Sequence, residues 1–445
     1  MATFSHTMLT HGSPQLTIGG VSPGSCPGQT PWRCFPLPTL RDRTDLAALV
    51  GPRELRSLPI HNWFVYPHSF SATLVGELLD AVQTSADSHV WDPFVGAGTT
   101  LVVSRQRHLT AFGTDVLPLS VLVAGAKTSS YQPDELEHVF RHLSELILAD
   151  SIPSQHTDIP FLNKAFSHQA RTYATQIRQA ILRCAPRSLR PFFLTALVSV
   201  YHSFGSFIRD GGWPRFTEAP MRQANQLLPD FLAAAKTMID DVRENSSYFQ
   251  GEENSCRVSL RDFRSIPRQA VFDIVLTSPP YLNKHDYTRL FAPELSLLGV
   301  STNHDLIRLR YRTLRSHVEA RPYRNRRSRL PPGPLTDLIK SVQCTAYDPA
   351  RSGRLITGYF EDLLGLLTVS STRLREKGFL VIVLSNVRFS GVTIPIDEVL
   401  TGLARLANLH LTEKWLLRRR GNSSQQMAKY GREPVGEWVL IWQKP

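Results

Sequence analysis

A strand-like run that ends in two prolines constrains the fold of this chain more than any other stretch. Val271 to Leu276 is apolar apart from Asp273, as in a strand that is buried within a parallel sheet. Pro279 and Pro280 then stop the strand, because proline cannot donate to a ladder of hydrogen bonds. The sequence therefore predicts a stiff corner at the carboxyl end of a central strand, where open α/β sheets bind their ligands.

A glycine-rich segment at residues 89–100 is the second constraint. It has the order strand, turn, helix, and from Asp92 to Thr100 it reads Asp-Pro-Phe-Val-Gly-Ala-Gly-Thr-Thr. Glycines let a backbone approach a ligand closely, and the start of the next helix offers free N–H groups. A dinucleotide-binding fingerprint needs a third glycine, which is absent here. The next strand-like run ends in Asp115, which is placed to accept hydrogen bonds from ribose hydroxyls or to cap a helix.

Together, the glycine-rich segment and the Ser-Pro-Pro-Tyr corner at residues 278–281 resemble the motifs of S-adenosylmethionine-dependent DNA amino-methyltransferases, the N4-cytosine and N6-adenine family. The resemblance covers residues 61 to 128 and 255 to 445. It implies an α/β fold, with a class I Rossmann-like sheet that is mostly parallel, an antiparallel C-terminal hairpin and a helical insertion.

The resemblance also implies a binding site for S-adenosylmethionine. Asp115 would bind the ribose, Asp262 would accept a hydrogen bond from the adenine amine, and Phe70 would form part of the wall. A core position for Phe70 and a surface position for Asp262 are the alternatives. The candidate cofactor-binding residues are Phe70, Asp92, Pro93, Phe94, Gly96, Gly98, Thr99, Asp115, Asp262 and Thr277.

The catalytic candidates are Ser278, Pro279, Pro280 and Tyr281. An aromatic exocyclic amine is a poor nucleophile because its lone pair is shared with the ring. We expect the Ser278 hydroxyl and the Pro279 carbonyl to accept hydrogen bonds from this amine, and Tyr281 to stack on the base once it is flipped out of the duplex. Within the resembled family, serine in the first motif position favours cytosine N4 as the target, and adenine N6 is the alternative.

The charge of the chain points to a polyanionic partner. Among its 445 residues the formal net charge is +12, which favours nucleic acid. Nine arginines lie between residues 308 and 329, and arginine both contacts phosphates and reads guanine edges; a solvated basic loop is the alternative. The candidate contacts to double-stranded DNA are Arg308, Arg310, Arg312, Arg324, Arg326, Arg327, Ser424, Gln425 and Gln426.

Composition divides the chain into segments. We expect residues 1–57, rich in Gly, Pro, Ser and Thr, to form a flexible or loosely docked N-terminal segment. Residues 58–130 and 255–445 would form the methyltransferase domain, and residues 131–254, with helical periodicity, would form an insertion. Residues 300–350 would form an Arg-rich insert that contacts DNA.

Other functions remain open at this point. An RNA amino-methyltransferase and a catalytically silent DNA-binding partner fit the same charge. No apolar run approaches the ~20 residues that span a bilayer, so we expect no membrane association and a cytoplasmic, DNA-associated protein. The five cysteines are scattered without a paired motif, which argues against a zinc site, and no metal is expected. Restriction–modification or phage defence, with a cognate restriction endonuclease or defence-system subunits as partners, is implied by the resemblance only.

Overall fold

The computed structural model describes residues 38–149, 159–210, 213–249, 255–323, 328–421 and 424–445. The strands in these ranges are β1 (Thr39–Asp42), β2 (His89–Asp92), β3 (Thr110–Asp115), β4 (Phe207–Asp210), β5 (Trp213–Phe216), β6 (Cys256–Leu260), β7 (Phe272–Thr277), β8 (Leu374–Ser385), β9 (Val387–Phe389), β10 (Val392–Ile394), β11 (His410–Arg420) and β12 (Val435–Gln443).

The helices in the same ranges are α1 (Ala72–Ala81), α2 (Thr99–Gln106), α3 (Pro118–Thr128), α4 (Pro133–Ala149), α5 (Pro160–Ala165), α6 (His168–Cys184), α7 (Arg190–Tyr201), α8 (Leu227–Glu244), α9 (Ser246–Phe249), α10 (Tyr287–Leu290), α11 (Ala292–Leu297), α12 (Asn303–Arg310), α13 (Pro334–Thr345), α14 (Pro349–Arg373), α15 (Ile396–Leu406) and α16 (Ser424–Tyr430).

An eight-stranded sheet with the order β1-β11-β12-β8-β7-β2-β3-β6 forms the centre of the fold. Within the order β8-β7-β2-β3-β6, each strand is parallel to the next. Strand β12 pairs antiparallel with both β8 and β11. This confirms the predicted α/β fold, the Rossmann-like class I sheet with an antiparallel C-terminal hairpin. The chain order runs outward in opposite directions from β2 and β7, so a topological switch point lies between these two strands.

Strand β7 is buried on both faces of the sheet, as its apolar sequence predicted. Ile274 and Leu276 pack into one core with α1 and α2, while Val275 packs into another with α14 and α15. A strand covered by helices on both faces needs apolar residues at every position and not only at alternate ones. The carboxyl end of β7 is therefore fixed by packing on both sides, which suits a strand that carries a site.

Between β3 and β6 the chain forms helices α3 to α9 and a small hairpin of β4 and β5. Phe192 and Phe193 of α7 are fully buried in the core of this helical part. The segment before α1 packs on the same core, where the Trp63 ring lies 5.3 Å from that of Phe192. The helical part thus supports the segment that leads into the glycine-rich loop.

The expectation of a flexible N-terminal segment is wrong for residues 38–57. Strand β1 pairs in parallel with β11 at the edge of the sheet, and a short 3-10 helix after it buries Leu46 and Val50. All four residues of β1 are exposed, so no hydrophobic alternation marks the strand in the sequence. Residues 1–37 lie outside the described residues.

In the part of the chain that the structure describes, no helix combines the length and the apolar character needed to cross a bilayer.

Candidate active site

The ends of β2 and β7 meet at a buried carboxylate. Asp92, the last residue of β2, is 2% exposed. It accepts hydrogen bonds from the hydroxyls of Thr277 at 2.6 Å and Thr100 at 2.7 Å, and from the backbone N–H of Phe94 at 3.0 Å. Burial raises the pKa of Asp92 to about 6, against the opposing effect of these hydrogen bonds. Asp92 therefore joins three segments: the end of β7, the glycine-rich loop and the start of α2.

The glycine-rich loop needs its glycines for conformation and for space. Gly96 and Gly98 have φ of +50° and +83°, values that residues with a Cβ rarely adopt. A Cβ on Gly98 would lie 2.9 Å from Ala124 of α3, so α2 and α3 pack too closely there for a side chain. The backbone N–H of Gly96 donates to Asp115 at 3.2 Å, which fixes the loop beneath the end of β3.

Asp115, the last residue of β3, is buried and contacts the backbone on both sides. Its Oδ1 accepts a hydrogen bond from the N–H of Leu117 at 2.9 Å, just before α3, and its Oδ2 accepts the one from Gly96. Burial raises the pKa of Asp115, again against the effect of the hydrogen bonds. Asp115 lines the cleft, so a role in binding ligand hydroxyls is compatible with its position. Its hydrogen bond to Leu117, the N-cap residue of α3, also supports the start of that helix.

A cleft with about 870 Å³ of empty space opens beside these groups. It is bordered by the glycine-rich loop on one side and by the corner after β7 on the other. Eight of the predicted cofactor and catalytic residues line it: Phe70, Asp92, Phe94, Gly96, Thr99, Asp115, Ser278 and Pro280. The glycine-rich loop therefore shares one cavity with Ser278 and Pro280, whereas Pro279 and Tyr281 of the same corner do not line it.

Other predicted cofactor residues do not line this cleft. Thr277 is fully buried, and its hydroxyl donates a hydrogen bond to Asp92. The prediction that Thr277 contacts the cofactor directly is therefore wrong. The Pro93 carbonyl accepts a hydrogen bond from Thr114 within the core. Asp262 is half-buried, forms an ion pair with Arg264 at 2.7 Å and caps a short 3-10 helix, and its contact with the adenine amine stays a prediction.

The Ser-Pro-Pro-Tyr corner holds its tyrosine against its serine. The Ser278 hydroxyl donates to the Tyr281 hydroxyl at 3.4 Å, and Pro279 is buried. Burial raises the pKa of Tyr281 to about 12, so the phenol is neutral at physiological pH. The ammonium of Lys284 lies 4.4 Å from the centre of the Tyr281 ring, within cation–π distance. Tyr281 is thus an aromatic face covered by a cation.

Two further segments line the cleft: the aromatic segment before α1, which was expected to form part of the cofactor wall, and the start of the Arg-rich insert, which was not. His68, before α1, stacks on His285, after the corner, with ring centres 3.9 Å apart. Ser316 and His317 approach from the Arg-rich insert, where the Ser316 carbonyl accepts a hydrogen bond of 2.6 Å from the N–H of Asn283. Neither segment has a periodic pattern, and only their aromatic and imidazole residues could have signalled a site.

Arg310 corrects part of the DNA-contact prediction. It is 8% exposed, and its Nε lies 2.6 Å from Asp286 in a buried ion pair. Its guanidinium therefore links α12 to the segment after the corner and is not available to DNA phosphates. Arg308 and Arg312 are exposed, as the prediction requires.

The remaining DNA-contact candidates cannot be placed in the same detail. Arg324, Arg326 and Arg327 lie outside the described residues. Ser424, Gln425 and Gln426 belong to the first turn of α16, and their side chains lie outside the description.

No group of three His, Cys, Asp or Glu among the described residues is arranged to hold a metal ion. The cleft is instead rich in aromatic rings, hydroxyls and backbone amides.

A Rossmann-like sheet with a glycine-rich loop after one central strand and Ser-Pro-Pro-Tyr after its neighbour has the architecture of a class I methyltransferase. The chain is similar to the type II methyltransferase M.AvaI of Nostoc sp., with 26% identity over 440 residues that cover 89% of each chain. It is also similar to M.BsoBI of Geobacillus stearothermophilus, with 26% identity over 455 residues that cover 89% of this chain and 88% of the relative. M.MvaI of Kocuria varians is 24% identical over 243 residues, or 50% of this chain and 53% of the relative. These similarities confirm the resemblance inferred from the motifs.

Other comparisons add little. No protein-family model matches the chain. Among solved structures, TrmN from Thermus thermophilus aligns with a TM-score of 0.29 and 11% identity over 91% of this chain and 52% of that one. The rRNA methyltransferase AviRa from Streptomyces viridochromogenes aligns with a TM-score of 0.30 and 13% identity over 91% and 94% of the two chains. Superpositions this weak support no conclusion.

Proposed function

We propose that this protein is a DNA methyltransferase that transfers a methyl group from S-adenosylmethionine to the exocyclic amine of a flipped base, with cytosine N4 as its target. The contact between Asp92 and Thr277 carries the proposal, because it joins the glycine-rich loop and the Ser278 corner at one cleft. Similarity to type II methyltransferases supports the reaction class. Those relatives also suggest a restriction–modification setting, with a separate cognate endonuclease as partner.

The residues of the cleft suit S-adenosylmethionine. The cleft is lined by both polar and apolar groups, as ligand pockets usually are. Asp115 offers buried acceptor oxygens for ribose hydroxyls, and the Phe70 and Phe94 rings offer apolar surface for an adenine. Gly96 brings backbone close to the ligand without a side chain in the way. When bound, this cofactor would supply a methyl group to the amine: a C–N bond would form as the sulfonium C–S bond breaks, a thioether would leave, and the proton lost by the nitrogen would pass to solvent.

The corner after β7 would prepare the amine. The Ser278 hydroxyl and the Pro279 carbonyl each have lone pairs that can accept a hydrogen from the target amine. Two acceptors draw the amine out of the plane of the ring and free its lone pair. Serine does not titrate in the useful range, so Ser278 orients the amine and does not abstract its proton. Holding the reacting atoms in line would supply most of the rate.

Tyr281 would hold the base by stacking. The target amine is out of reach within a duplex, so the base must leave the stack and be held by another planar surface. In the protein without DNA, Lys284 covers the Tyr281 ring, and a stacked base would have to replace it. The displaced ammonium would remain close to the DNA backbone, where a positive charge is favourable.

Nucleoside analysis of methylated DNA tests the proposal. DNA from cells that express the protein, and from cells that express a Ser278→Ala variant, would be digested and compared with standards of both methylated nucleosides. We expect N4-methylcytosine with the wild type only. Methyladenine alone would reject the cytosine target and leave a DNA methyltransferase. Methyl transfer to transcripts and none to duplex DNA would reject DNA as the substrate.

A further inference from the structure

We infer that a basic groove between the Arg-rich insert and the first turns of α14 binds the phosphates of the DNA strand beside the target base. This inference rests on the proposed function and names a surface for it. The groove holds about 980 Å³ of empty space, and the residues on which the argument depends are Tyr311, Val318, Arg321, Arg351 and Arg354.

The charge of the groove is positive after its ion pairs are taken into account. Arg310 and Arg315 also line it, but they are neutralised by Asp286 and Asp362 at 2.6 Å each. The carboxylate of Glu319 in the wall is bound by Arg289. This leaves the arginines that face solvent to set the charge.

Those arginines are Arg321, Arg351 and Arg354, and all three are exposed. No carboxylate of a described residue forms a salt bridge with any of them. Guanidinium groups bind phosphate oxygens through paired N–H donors. Three guanidinium groups without a carboxylate partner in one groove therefore suit a ligand with several phosphates in a row, and a nucleic acid strand is such a ligand.

Apolar groups lie beside these charges. Tyr311 and Val318 are each 44% exposed. A tyrosine among arginines can contact sugars or stack on an unpaired base while the arginines hold the backbone. The combination favours a nucleic acid over a simple inorganic anion.

The groove and the active-site cleft share a lining residue. His317 lines both cavities, and the neighbouring Ser316 is hydrogen-bonded to Asn283, just after the catalytic corner. A flipped nucleotide stays covalently bound to its neighbours, so the backbone on either side of it must run close to the cleft. The groove is in the position that this path requires.

The test compares two double variants with the same loss of charge. Arg321→Gln with Arg354→Gln removes two of the proposed phosphate contacts, whereas Arg351 is left intact because it also holds the Val318 carbonyl. The control combines Arg187→Gln and Arg405→Gln, which are exposed on other parts of the fold. Each protein is titrated into a fluorescein-labelled mixed-sequence duplex over a range of salt concentrations. Melting temperatures and the Kd for S-adenosylmethionine are measured alongside.

We expect the groove variant to bind the duplex about tenfold or more weakly than the control, and the slope of log K against log salt to fall by about 1.8, or ~0.9 for each lost phosphate contact. Its melting temperature and its Kd for S-adenosylmethionine should match those of the control. A groove variant with the affinity and salt slope of the control overturns the inference. A loss of affinity for RNA or for a protein partner, with unchanged affinity for the duplex, overturns it as well.

Measurements of duplex binding and of methyl transfer distinguish failure of the groove inference from failure of the proposed function. If the wild type bound duplex DNA through the groove but transferred no methyl group to it, the groove would stand and the methyltransferase proposal would fall. If the wild type methylated DNA and the groove variant were indistinguishable from the control in binding, only the groove would be rejected.

Discussion

The Thr277 hydroxyl at the end of β7 donates a 2.6 Å hydrogen bond to the carboxylate of Asp92 at the end of β2. The two strands are parallel neighbours at the switch point of the sheet, so the segments that follow them leave from the same edge. The hydrogen bond fixes how far each strand extends before it turns. The glycine-rich loop and Ser278 are consequently held in one relative position by a buried contact.

Replacing Thr277 by valine tests this contact. Valine keeps the shape but leaves a buried carboxylate oxygen with one donor fewer, which costs about 1–3 kcal/mol. We expect the free energy of unfolding to fall by that amount and the Kd for S-adenosylmethionine to rise, because the loop loses a support. Urea denaturation and calorimetric titration measure the two effects. Thr277→Ser keeps the hydroxyl and should behave like the wild type, whereas equal loss in both variants would show that the hydroxyl is not responsible.

Asp92 should also leave a signature in the pH dependence of stability. Its pKa of about 6 in the folded protein stands above the ordinary value of 3.8, so between these values the folded state holds a proton that the unfolded state has lost. The free energy of unfolding should therefore fall as pH rises through this window, by about 3 kcal/mol from this group. Asp92→Asn cannot titrate and should lack this component in urea denaturation from pH 4 to pH 7. Parallel curves for the two proteins would contradict the burial argument.

Ser278 and Asp115 should affect different kinetic steps. Ser278 lines the cleft, but alanine keeps its Cβ there and removes only the hydroxyl that would accept from the amine. We therefore expect kcat to fall about 10- to 100-fold with little change in the Kd for S-adenosylmethionine. Asp115→Ala should weaken cofactor binding by a similar factor, because a buried carboxylate acceptor is lost. Methyl-transfer kinetics at saturating cofactor, combined with calorimetry, separate the two. Equal changes in both quantities for both variants would remove the assigned roles.

Features that depend on local sequence could be predicted, and features that depend on distant partners could not. The Pro-Pro corner and the glycine-rich loop each consist of consecutive residues, so both can be recognised in the sequence. The strand-like runs before them occur in the order that a Rossmann-like sheet requires. Arg310 looked like a member of a basic run because its partner, Asp286, belongs to a different segment. Strand β1 buries no side chain, so it left no hydrophobic pattern to detect. Similarly, the burial of Thr277 follows from how two strand ends meet.

The buried ion pair of Arg310 and Asp286 should contribute to the stability of the fold and not to the positive charge of the surface. Removing one partner of a buried ion pair leaves the other uncompensated, which costs about 3–5 kcal/mol. We expect Arg310→Ala to lower the free energy of unfolding by that much in urea denaturation. Arg312→Ala removes the same charge from an exposed position two residues away and should change stability by about 0.5 kcal/mol or less. Similar stabilities for the two variants would mean that the ion pair is not formed in solution.

The helical insertion should control cofactor binding through Asp241 of α8. One oxygen of Asp241 accepts hydrogen bonds from the N–H of Ile60 at 3.0 Å and from the Trp63 indole at 2.8 Å. Ile60 has a φ of +66°, a conformation that costs a β-branched residue about 1–3 kcal/mol and needs outside support. Tyr66, three residues after Trp63, lines the cleft. The carboxylate thus holds a strained turn that sets the position of a cleft wall.

Asp241→Ala should therefore weaken binding of S-adenosylmethionine while leaving the affinity for duplex DNA unchanged, and it should cost about 2–4 kcal/mol of stability because two donors lose a charged acceptor. Asp240→Ala is the matched control. The carboxylate of Asp240 makes surface ion pairs with Lys236 and Arg243, and such pairs are worth about 1 kcal/mol or less. Calorimetric titration with the cofactor, fluorescence titration with a duplex and urea denaturation give the three quantities. If the cofactor affinity of Asp241→Ala equals that of Asp240→Ala although its stability has fallen, the turn at Ile60 does not govern the cleft wall.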